Sequence, residues 1–216
     1  MTALRVAIID YGAGNLRSAA RAIATAAAAL GQDCVVTVDA DPASIAAATH
    51  VVLPGDGAFA DCRHGLDALS GMIDTLERVV RGERRPFLGI CVGLQLLAAR
   101  GFEHGVTAGL GWIDGECVRL APADPRLKIP HMGWNELCPC AAHPLLEGVA
   151  SGAHVYFVHS YHLVAAHPAD LLATADHGGP VTAMVARGNI AGMQFHPEKS
   201  QATGLRLLAN FLRWRP

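Results

Sequence analysis

The feature that most constrains this fold is a cysteine between two glycines, at the point where an apolar run meets a helix-forming one. Residues 87–90 are apolar and predict a buried strand, and the Leu- and Ala-rich run after Cys91 predicts a helix. Gly89 and Gly93 flank the cysteine, and a side chain at either position would crowd so sharp a turn. This type of turn, a nucleophile elbow, places the thiol at a helix N-terminus, where the thiolate is favoured. Cys91 is therefore a candidate nucleophile, although most unpaired cysteines are small buried hydrophobes.

Composition excludes several classes of function. Of the 216 residues 51% are hydrophobic and the formal net charge is −2, which suits one large α/β domain over residues 1–216. No run of Lys or Arg offers a footprint for nucleic acid or for an anionic membrane. No apolar stretch reaches the ~18 residues of a membrane span, and residues 1–5 lack a signal-peptide pattern. We therefore expect a cytoplasmic protein.

Cysteine and glycine spacing argues against a metal or an organic cofactor. In the cytoplasm the six cysteines are expected to be reduced thiols. Cys138 and Cys140 are separated by one residue instead of the two usual in a zinc pair, and no second pair lies nearby. The histidines never fall into His-Glu-x-x-His spacing. Gly12 and Gly14 lack the third glycine of a dinucleotide fingerprint.

Strands alternate with helices in the first part of the chain. Strands are predicted at 4–10, 34–38, 50–53 and 87–90, and helices at 16–30, at 41–48 and in two segments that end near residue 82. Later strands are predicted at 116–120, 135–138, 154–158, 171–175, 181–186 and 190–194, before a final helix from about residue 200. Turns at 177–180 and 187–189 indicate antiparallel pairing. We predict an α/β fold, a flavodoxin-like or Rossmann-like three-layer sandwich with a mostly parallel central sheet and an antiparallel extension.

Ligands in such sheets bind beyond the carboxyl ends of the strands. The loops at 11–15 and 54–59 and the elbow at Cys91 follow three of the predicted strands. They should therefore emerge at one edge and share a site.

A cysteine nucleophile needs a base, and the base needs an orienting group. The strand that includes residue 195 is followed by His196-Pro197-Glu198. Because proline disfavours a helix, we expect an extended chain in which residues i and i+2 point the same way. Glu198 would then reach one ring nitrogen of His196, as in a catalytic triad. Alone, the tripeptide fits a surface histidine beside an exposed glutamate better.

Together, the Gly-x-Cys-x-Gly-x-Gln elbow and Phe-His-Pro-Glu at 195–198 resemble the class I, triad-type glutamine amidotransferases. The resemblance runs from the first strand to the last helix. Five stretches, at 11–15, 53–59, 130–135, 157–161 and 195–200, are similar to those of the glutaminase subunits of imidazole glycerol phosphate synthases. The resemblance implies conversion of glutamine to glutamate and ammonia.

The resemblance also implies roles for individual residues. Cys91 would form a γ-glutamyl thioester, His196 would move protons, and Glu198 would hold His196. The oxyanion would be bound by the backbone N–H of Val92 and by the Gly55-Asp56-Gly57 loop after a peptide reorients. The family often has Val at position 56, and an inward-pointing Asp56 carboxylate would hinder catalysis.

The remaining implied roles concern substrate and partner. Glutamine's polar end is assigned to Gly57, Gln95, Glu103, His159, Ser160 and Tyr161. The partner would be a (β/α)₈-barrel cyclase that receives the ammonia in histidine biosynthesis and contacts Asn15, Trp134 and Lys199. Structural alternatives remain open for these residues: a helix-surface glutamine at 95, a solvated charge at 103 or 199, and a core tryptophan at 134.

Three other functions remain possible at this point. The chain could supply ammonia to another synthase, such as those for anthranilate, carbamoyl phosphate or vitamin B6, although the stretches at 11–15 and 130–135 argue against this. It could be a non-catalytic binding module, although such relatives typically lose the Cys, His or Glu. A thiol hydrolase or protease would leave Gln95 and the interface residues unexplained.

Overall fold

Helices and strands alternate through the first part of the chain, as predicted. The computed structural model describes residues 4–216, so the expectation for residues 1–3 falls outside the described part. The helices are α1 (Leu16–Ala29), α2 (Pro42–Ala46), α3 (Phe59–Ala68), α4 (Met72–Leu76), α5 (Val92–Gln95) and α6 (Gln201–Arg213). A π-helical segment at Glu77–Gly82 continues α4, and 3₁₀ turns lie at Pro144–Leu146, Pro168–Asp170 and Pro197–Lys199.

The central sheet has eight strands. They are β1 (Leu4–Ile9), β2 (Cys34–Asp39), β3 (His50–Gly55), β4 (Phe87–Cys91), β9 (Cys138–Pro139), β12 (Leu171–Asp176), β13 (Pro180–Arg187) and β14 (Ile190–Met193). Their order across the sheet is β2-β1-β3-β4-β14-β13-β12-β9. The five strands from β2 to β14 in this order run parallel to one another. From β14 onward, each of the pairs β14–β13, β13–β12 and β12–β9 is antiparallel. The prediction of a mostly parallel sheet with an antiparallel extension is confirmed.

Two smaller sheets complete the fold. Strands β8 (His131–Glu136) and β10 (His154–His159) form an antiparallel pair. The other sheet contains β5 (Arg100–Gly101), β6 (Thr107–Ala108), β7 (Gly115–Arg119) and β11 (Tyr161–Ala165), in the order β11-β7-β5-β6. Both smaller sheets carry residues that line the cleft described below.

The hydrophobic core lies on the two faces of the central sheet. Strands β3 and β4 are buried along their whole length, as central parallel strands should be. Helices α1 and α6 contact each other in one layer. Each has one buried face, which includes Ile23 in α1 and Phe211 in α6. Helices α2 and α3 both contact α4 in a second group. Within residues 4–216 no helix has both the length and the hydropathy needed to cross a bilayer.

The helix after the elbow is shorter than predicted. The Leu- and Ala-rich run after Cys91, which predicts a helix, extends to Ala99, but α5 ends at Gln95. The carbonyls of Leu96 and Leu97 accept hydrogen bonds from the N–H groups of Leu110 and Trp112, which replace the bonds of a further helical turn. Tertiary pairing therefore overrides local helix propensity here.

Candidate active site

Cys91 lies in a strained turn between β4 and α5. It ends the strand with φ 56° and ψ −113°, a positive φ that non-glycine residues rarely adopt. A Cβ at Gly93 would lie 1.8 Å from the Leu53 carbonyl oxygen, and one at Gly89 would lie 2.4 Å from the Gly93 oxygen. The predicted need for glycine on both sides of Cys91 is therefore confirmed.

His196 and Glu198 are hydrogen bonded to each other, as predicted. His196 Nδ1 lies 2.8 Å from Glu198 Oε1, and their side chains are only 7% and 3% exposed. The alternative of a surface pair is therefore excluded. The predicted backbone was wrong, because Pro197–Lys199 forms a 3₁₀ turn in which proline occupies the first position. Proline is tolerated there because the first N–H of a helix lacks a partner in any case.

The environment of His196 favours its protonated form. Burial lowers the pKa of this imidazole, but hydrogen bonds and charge from Cys91 and Glu198 more than compensate and raise the pKa to about 9. At neutral pH the ring is therefore protonated beside the thiol. A protonated imidazole in this position can donate a proton to a group bound beside Cys91.

Gln194 is a site residue that the sequence analysis missed. It is completely buried, and its Nε2 lies 3.8 Å from Cys91 Sγ. Its Oε1 accepts a hydrogen bond of 3.2 Å from Gln95 Nε2. The available signal was an amide side chain at the end of an otherwise apolar strand, where burial requires a hydrogen-bonding partner.

Gln95 and Glu103 both have fixed positions in the structure. Gln95 is 3% exposed and donates a hydrogen bond of 2.8 Å to the carbonyl of Tyr161, so it is not a helix-surface residue. Glu103 Oε2 accepts the Phe59 N–H at 2.8 Å, at the start of α3. Glu103 is therefore also not a solvated loop charge.

Hydrogen bonds join the end of β3 and the loop after it to the 11–15 loop. Tyr11 Oη donates to the Pro54 carbonyl at 2.6 Å, and a Cβ at Gly55 would lie 2.7 Å from that hydroxyl. The Asp56 carboxylate accepts the Gly14 N–H at 2.8 Å. It is therefore bonded to the 11–15 loop, which answers the concern that it would point at the nucleophile.

A cleft of about 620 Å³ brings the predicted residues together. Of the predicted site residues it is lined by Asn15, Asp56, Gly57, Cys91, Val92, Gln95, Glu103, His159, Ser160, Tyr161, His196 and Lys199. Gly55 and Glu198 line a small cavity next to it, which His196 and Asn15 share. The cleft volume suits a small-molecule ligand. Among residues 4–216 no cluster of three or more His, Cys, Asp or Glu side chains is arranged to hold a metal ion.

Trp134 lies outside the cleft on an exposed face. It is 48% exposed, and Met132 on the same strand is 62% exposed, so Trp134 is not a core residue. Tyr156 contacts the Trp134 ring edge to face at 6.0 Å between centroids, and Lys199 Nζ lies 5.8 Å from the Tyr156 centroid. Large exposed apolar side chains beside a cation are typical of a protein interface.

Comparison with known proteins supplies the family context for this cleft. The model of the family "Glutamine amidotransferase class-I" matches residues 7–214. The "Imidazole glycerol phosphate synthase subunit HisH" of Rhodospirillum rubrum is 57% identical over 214 residues, which cover 99% of this chain and 100% of that protein. The protein of the same name from Agrobacterium fabrum is 54% identical over 216 residues, with 99% and 100% covered.

Solved structures support the fold. A crystal structure of a glutamine amidotransferase has a TM-score of 0.71 at 18% identity and covers 96% of this chain and 97% of its own. A glutamine amidotransferase from Thermotoga maritima has a TM-score of 0.60 at 16% identity, with 92% and 77% covered.

Proposed function

The chain belongs to the class-I glutamine amidotransferase family, and from that premise we propose that it is the glutaminase subunit of an imidazole glycerol phosphate synthase. Two relatives named "Imidazole glycerol phosphate synthase subunit HisH" are 54% and 57% identical over nearly the whole chain. The observation that carries the proposal is the convergence of Cys91 and His196 in one cleft, with Glu198 hydrogen bonded to His196. In this proposal the whole chain, 1–216, acts as one amidotransferase domain.

The thiolate of Cys91 attacks the side-chain amide carbon of glutamine. Protonated His196 donates its proton to the leaving nitrogen, so ammonia departs and a γ-glutamyl thioester remains. Neutral His196 then takes a proton from the attacking water, and the thioester breaks to give glutamate and the regenerated cysteine. Glu198 fixes the ring orientation and stabilises the imidazolium.

Each tetrahedral intermediate carries an oxyanion that needs donors. The backbone N–H of Val92 directly follows the nucleophile and supplies one donor. The Gly55–Asp56 peptide supplies the other after it reorients, which the adjacent glycines permit at little steric cost. Gln194 Nε2, near Cys91 Sγ, additionally stabilises the thiolate.

The polar end of glutamine carries an ammonium and a carboxylate. Gln95 and Glu103 line the cleft and offer acceptor oxygens to the ammonium. Backbone groups of Gly57 and of residues 159–161 complete the subsite. These contacts hold the amide carbon near Cys91.

Ammonia would protonate in bulk water, so it passes directly to a cyclase subunit of (β/α)₈-barrel fold. The exposed Trp134 and Lys199, with Asn15 at the cleft, form the contact in a heterodimer. The cyclase makes imidazole glycerol phosphate and an aminoimidazole carboxamide ribotide in histidine biosynthesis. We place this complex in the cytoplasm.

The test is cyclase turnover of the complex with either glutamine or ammonium as the nitrogen source. We expect wild-type chain to support both, and Cys91→Ala to lose glutamine-dependent turnover while it keeps ammonium-dependent turnover. If the wild-type chain supports turnover only with ammonium, the proposed function is wrong and glutaminase service to another synthase becomes the better assignment. Glutaminase activity that persists in Cys91→Ala would refute the nucleophile.

A further inference from the structure

A series of hydrogen-bonded polar side chains runs from the half-buried Asn135 on β8 to the substrate subsite. Asn135 Nδ2 lies 3.0 Å from His131 Nε2, and His131 Nδ1 lies 3.0 Å from His159 Nε2. His159 Nδ1 in turn lies 2.9 Å from the Tyr161 carbonyl oxygen. Both histidines are buried, and the mechanism above gives neither side chain a role.

The direction of each hydrogen bond between Asn135 and the Tyr161 carbonyl is fixed. A carbonyl only accepts, so His159 Nδ1 carries the proton and, in the neutral ring, Nε2 is an acceptor. His131 must therefore donate from Nδ1, which makes its own Nε2 an acceptor. Only Asn135 Nδ2 remains as the donor to it.

The orientation of the Asn135 amide is fixed independently. Its Nδ2 also donates to the Asp176 carbonyl at 2.7 Å, and its Oδ1 accepts the Glu136 N–H at 2.8 Å. The nitrogen is therefore the atom that faces His131. If either imidazole carried a proton on both nitrogens, two N–H donors would face each other at one of these contacts. Both rings are therefore neutral. Burial also lowers the pKa of His131 to about 4 and of His159 to about 3.

This series of hydrogen bonds ends at the Tyr161 carbonyl oxygen, which orients the Gln95 side chain. The Tyr161 carbonyl accepts from His159 and also from Gln95 Nε2 at 2.8 Å. Because Gln95 Nε2 donates to Gln194 Oε1 as well, its two hydrogens are both used. The Oε1 of Gln95 is then the amide atom that remains for a ligand, and an oxygen is the correct atom for an ammonium group.

We propose that Asn135, His131 and His159 form a one-directional hydrogen-bond relay that holds the Tyr161 carbonyl and so presents Gln95 Oε1 to the ammonium of the substrate. Its role in glutamine binding rests on the proposed function. The first member lies next to Trp134, so the relay also joins the exposed face of β8 to the subsite. Asn135 and His131 are positioning residues and do not touch the substrate.

Asn135→Asp is the decisive variant because it changes almost no volume. A carboxylate only accepts, so His131 must move its proton to Nε2 or become charged, and the relay reverses or breaks. His131→Phe is the second variant. It keeps a ring stacked between Phe157 and His177 but removes both nitrogens.

The first measurement is the ¹⁵N chemical shifts of the imidazole nitrogens in the full chain. We expect protonated Nδ1 and unprotonated Nε2 on both His131 and His159 in the wild type, and a changed proton position on His131 in Asn135→Asp. A protonated Nε2 on either ring of the wild type would overturn the relay. This readout does not depend on the cyclase.

The second measurement is glutamine kinetics of the complex with the cyclase. We expect Asn135→Asp and His131→Phe to raise KM for glutamine roughly tenfold or more, since a charged hydrogen bond is lost, with ammonium-dependent turnover unchanged. Asn210→Asp is the matched control. Asn210 Nδ2 likewise donates two hydrogen bonds, here to the carbonyls of Leu145 and Glu147, but lies outside the cleft. Its KM should stay within twofold of wild type after correction for folded fraction.

The two proposals fail in different ways. If the wild type gives no glutamine-dependent turnover, the proposed function fails, and the ¹⁵N shifts still decide whether the relay exists. If turnover is normal but Asn135→Asp leaves KM unchanged, the positioning role is refuted. If the control raises KM as much as Asn135→Asp does, general destabilisation explains the effect and the role is likewise refuted.

Discussion

At the scale of single residues, Asp56 links two loops of the site. Its carboxylate accepts the Gly14 N–H, while its own carbonyl accepts the Cys62 thiol at 3.2 Å. A Cβ at Gly14 would lie only 2.9 Å from the Pro54 Cβ, so the two loops are in direct contact. Asp56 therefore joins the loop that would supply the second oxyanion donor to the loop that contains Asn15.

We predict that Asp56→Ala raises the glutaminase activity of the free chain several-fold and lowers its stimulation by the cyclase. The change removes one charge-assisted hydrogen bond, of about 1–2 kcal/mol in an exposed position, and frees the Gly55–Asp56 peptide to reorient. The measurement is glutamate release with and without the partner. Asp56→Asn keeps an acceptor oxygen and should remain close to wild type.

Asp10→Ala is the matched control for this prediction. Asp10 Oδ1 accepts the Gly12 N–H at 3.2 Å within the same loop, without a bond to the 54–57 segment. The Asp10→Ala variant should leave the stimulation by the cyclase unchanged. An equal effect of both alanine variants would show that loop stability, and not the link through Asp56, controls activity.

At the scale of elements, the elbow was the most predictable part of the chain. Its strand, its two glycines and the cysteine between them follow from local sequence and local sterics. Strand β11 was not predicted, because it is only partly buried and is defined by antiparallel pairing with β7, more than forty residues earlier. The contact of His196 with Glu198 was predicted correctly on a wrong backbone, since proline at the start of a 3₁₀ turn was not considered.

We predict that Gly93→Ala abolishes the stable fold or lowers the free energy of unfolding by more than about 4 kcal/mol. The new Cβ would lie 1.8 Å from the Leu53 carbonyl oxygen, and backbone cannot move aside as a flexible side chain can. The measurement is urea denaturation followed by circular dichroism. Gly82→Ala is the control, because its Cβ would meet only the Glu77 oxygen at 3.8 Å and stability should change by less than about 1 kcal/mol. Equal stability of the two variants would contradict this account of the elbow.

At the scale of the whole molecule, several histidines are buried and neutral. Burial is the main cause that lowers the pKa of His50 and His131 to about 4 and that of His159 to about 3, whereas the ordinary value is near 6.5. At pH values between the lowered pKa of the folded state and the ordinary pKa near 6.5, the unfolded chain binds more protons than the folded chain. Stability from these groups is therefore complete above pH 6.5 and is lost as the pH falls toward 4. His196 has the opposite sign, since its raised pKa stabilises the fold below pH 6.5 and this contribution is lost as the pH rises through about 9.

We predict that the free energy of unfolding falls by on the order of 6 kcal/mol between pH 6.5 and pH 4.5, about 2 kcal/mol from each of the three rings. Urea titrations at several pH values measure this directly. His50→Gln removes one of the titrating groups far from the cleft and should flatten the acid limb by roughly a third. A free energy of unfolding that is constant over this range would show that the buried rings are not held neutral.

The placement of β14 has a consequence for synthesis of the protein. This strand lies in the middle of the central sheet, between β4 and β13, although it is the last strand to leave the ribosome. The thiol at position 91 therefore emerges long before the imidazole at position 196, and no local contact can substitute for it. If Cys91 and His196 act as proposed, a nascent or truncated chain carries the nucleophile without its base. On that proposal, completion of translation acts as an activation step, and we expect unfinished copies not to consume glutamine.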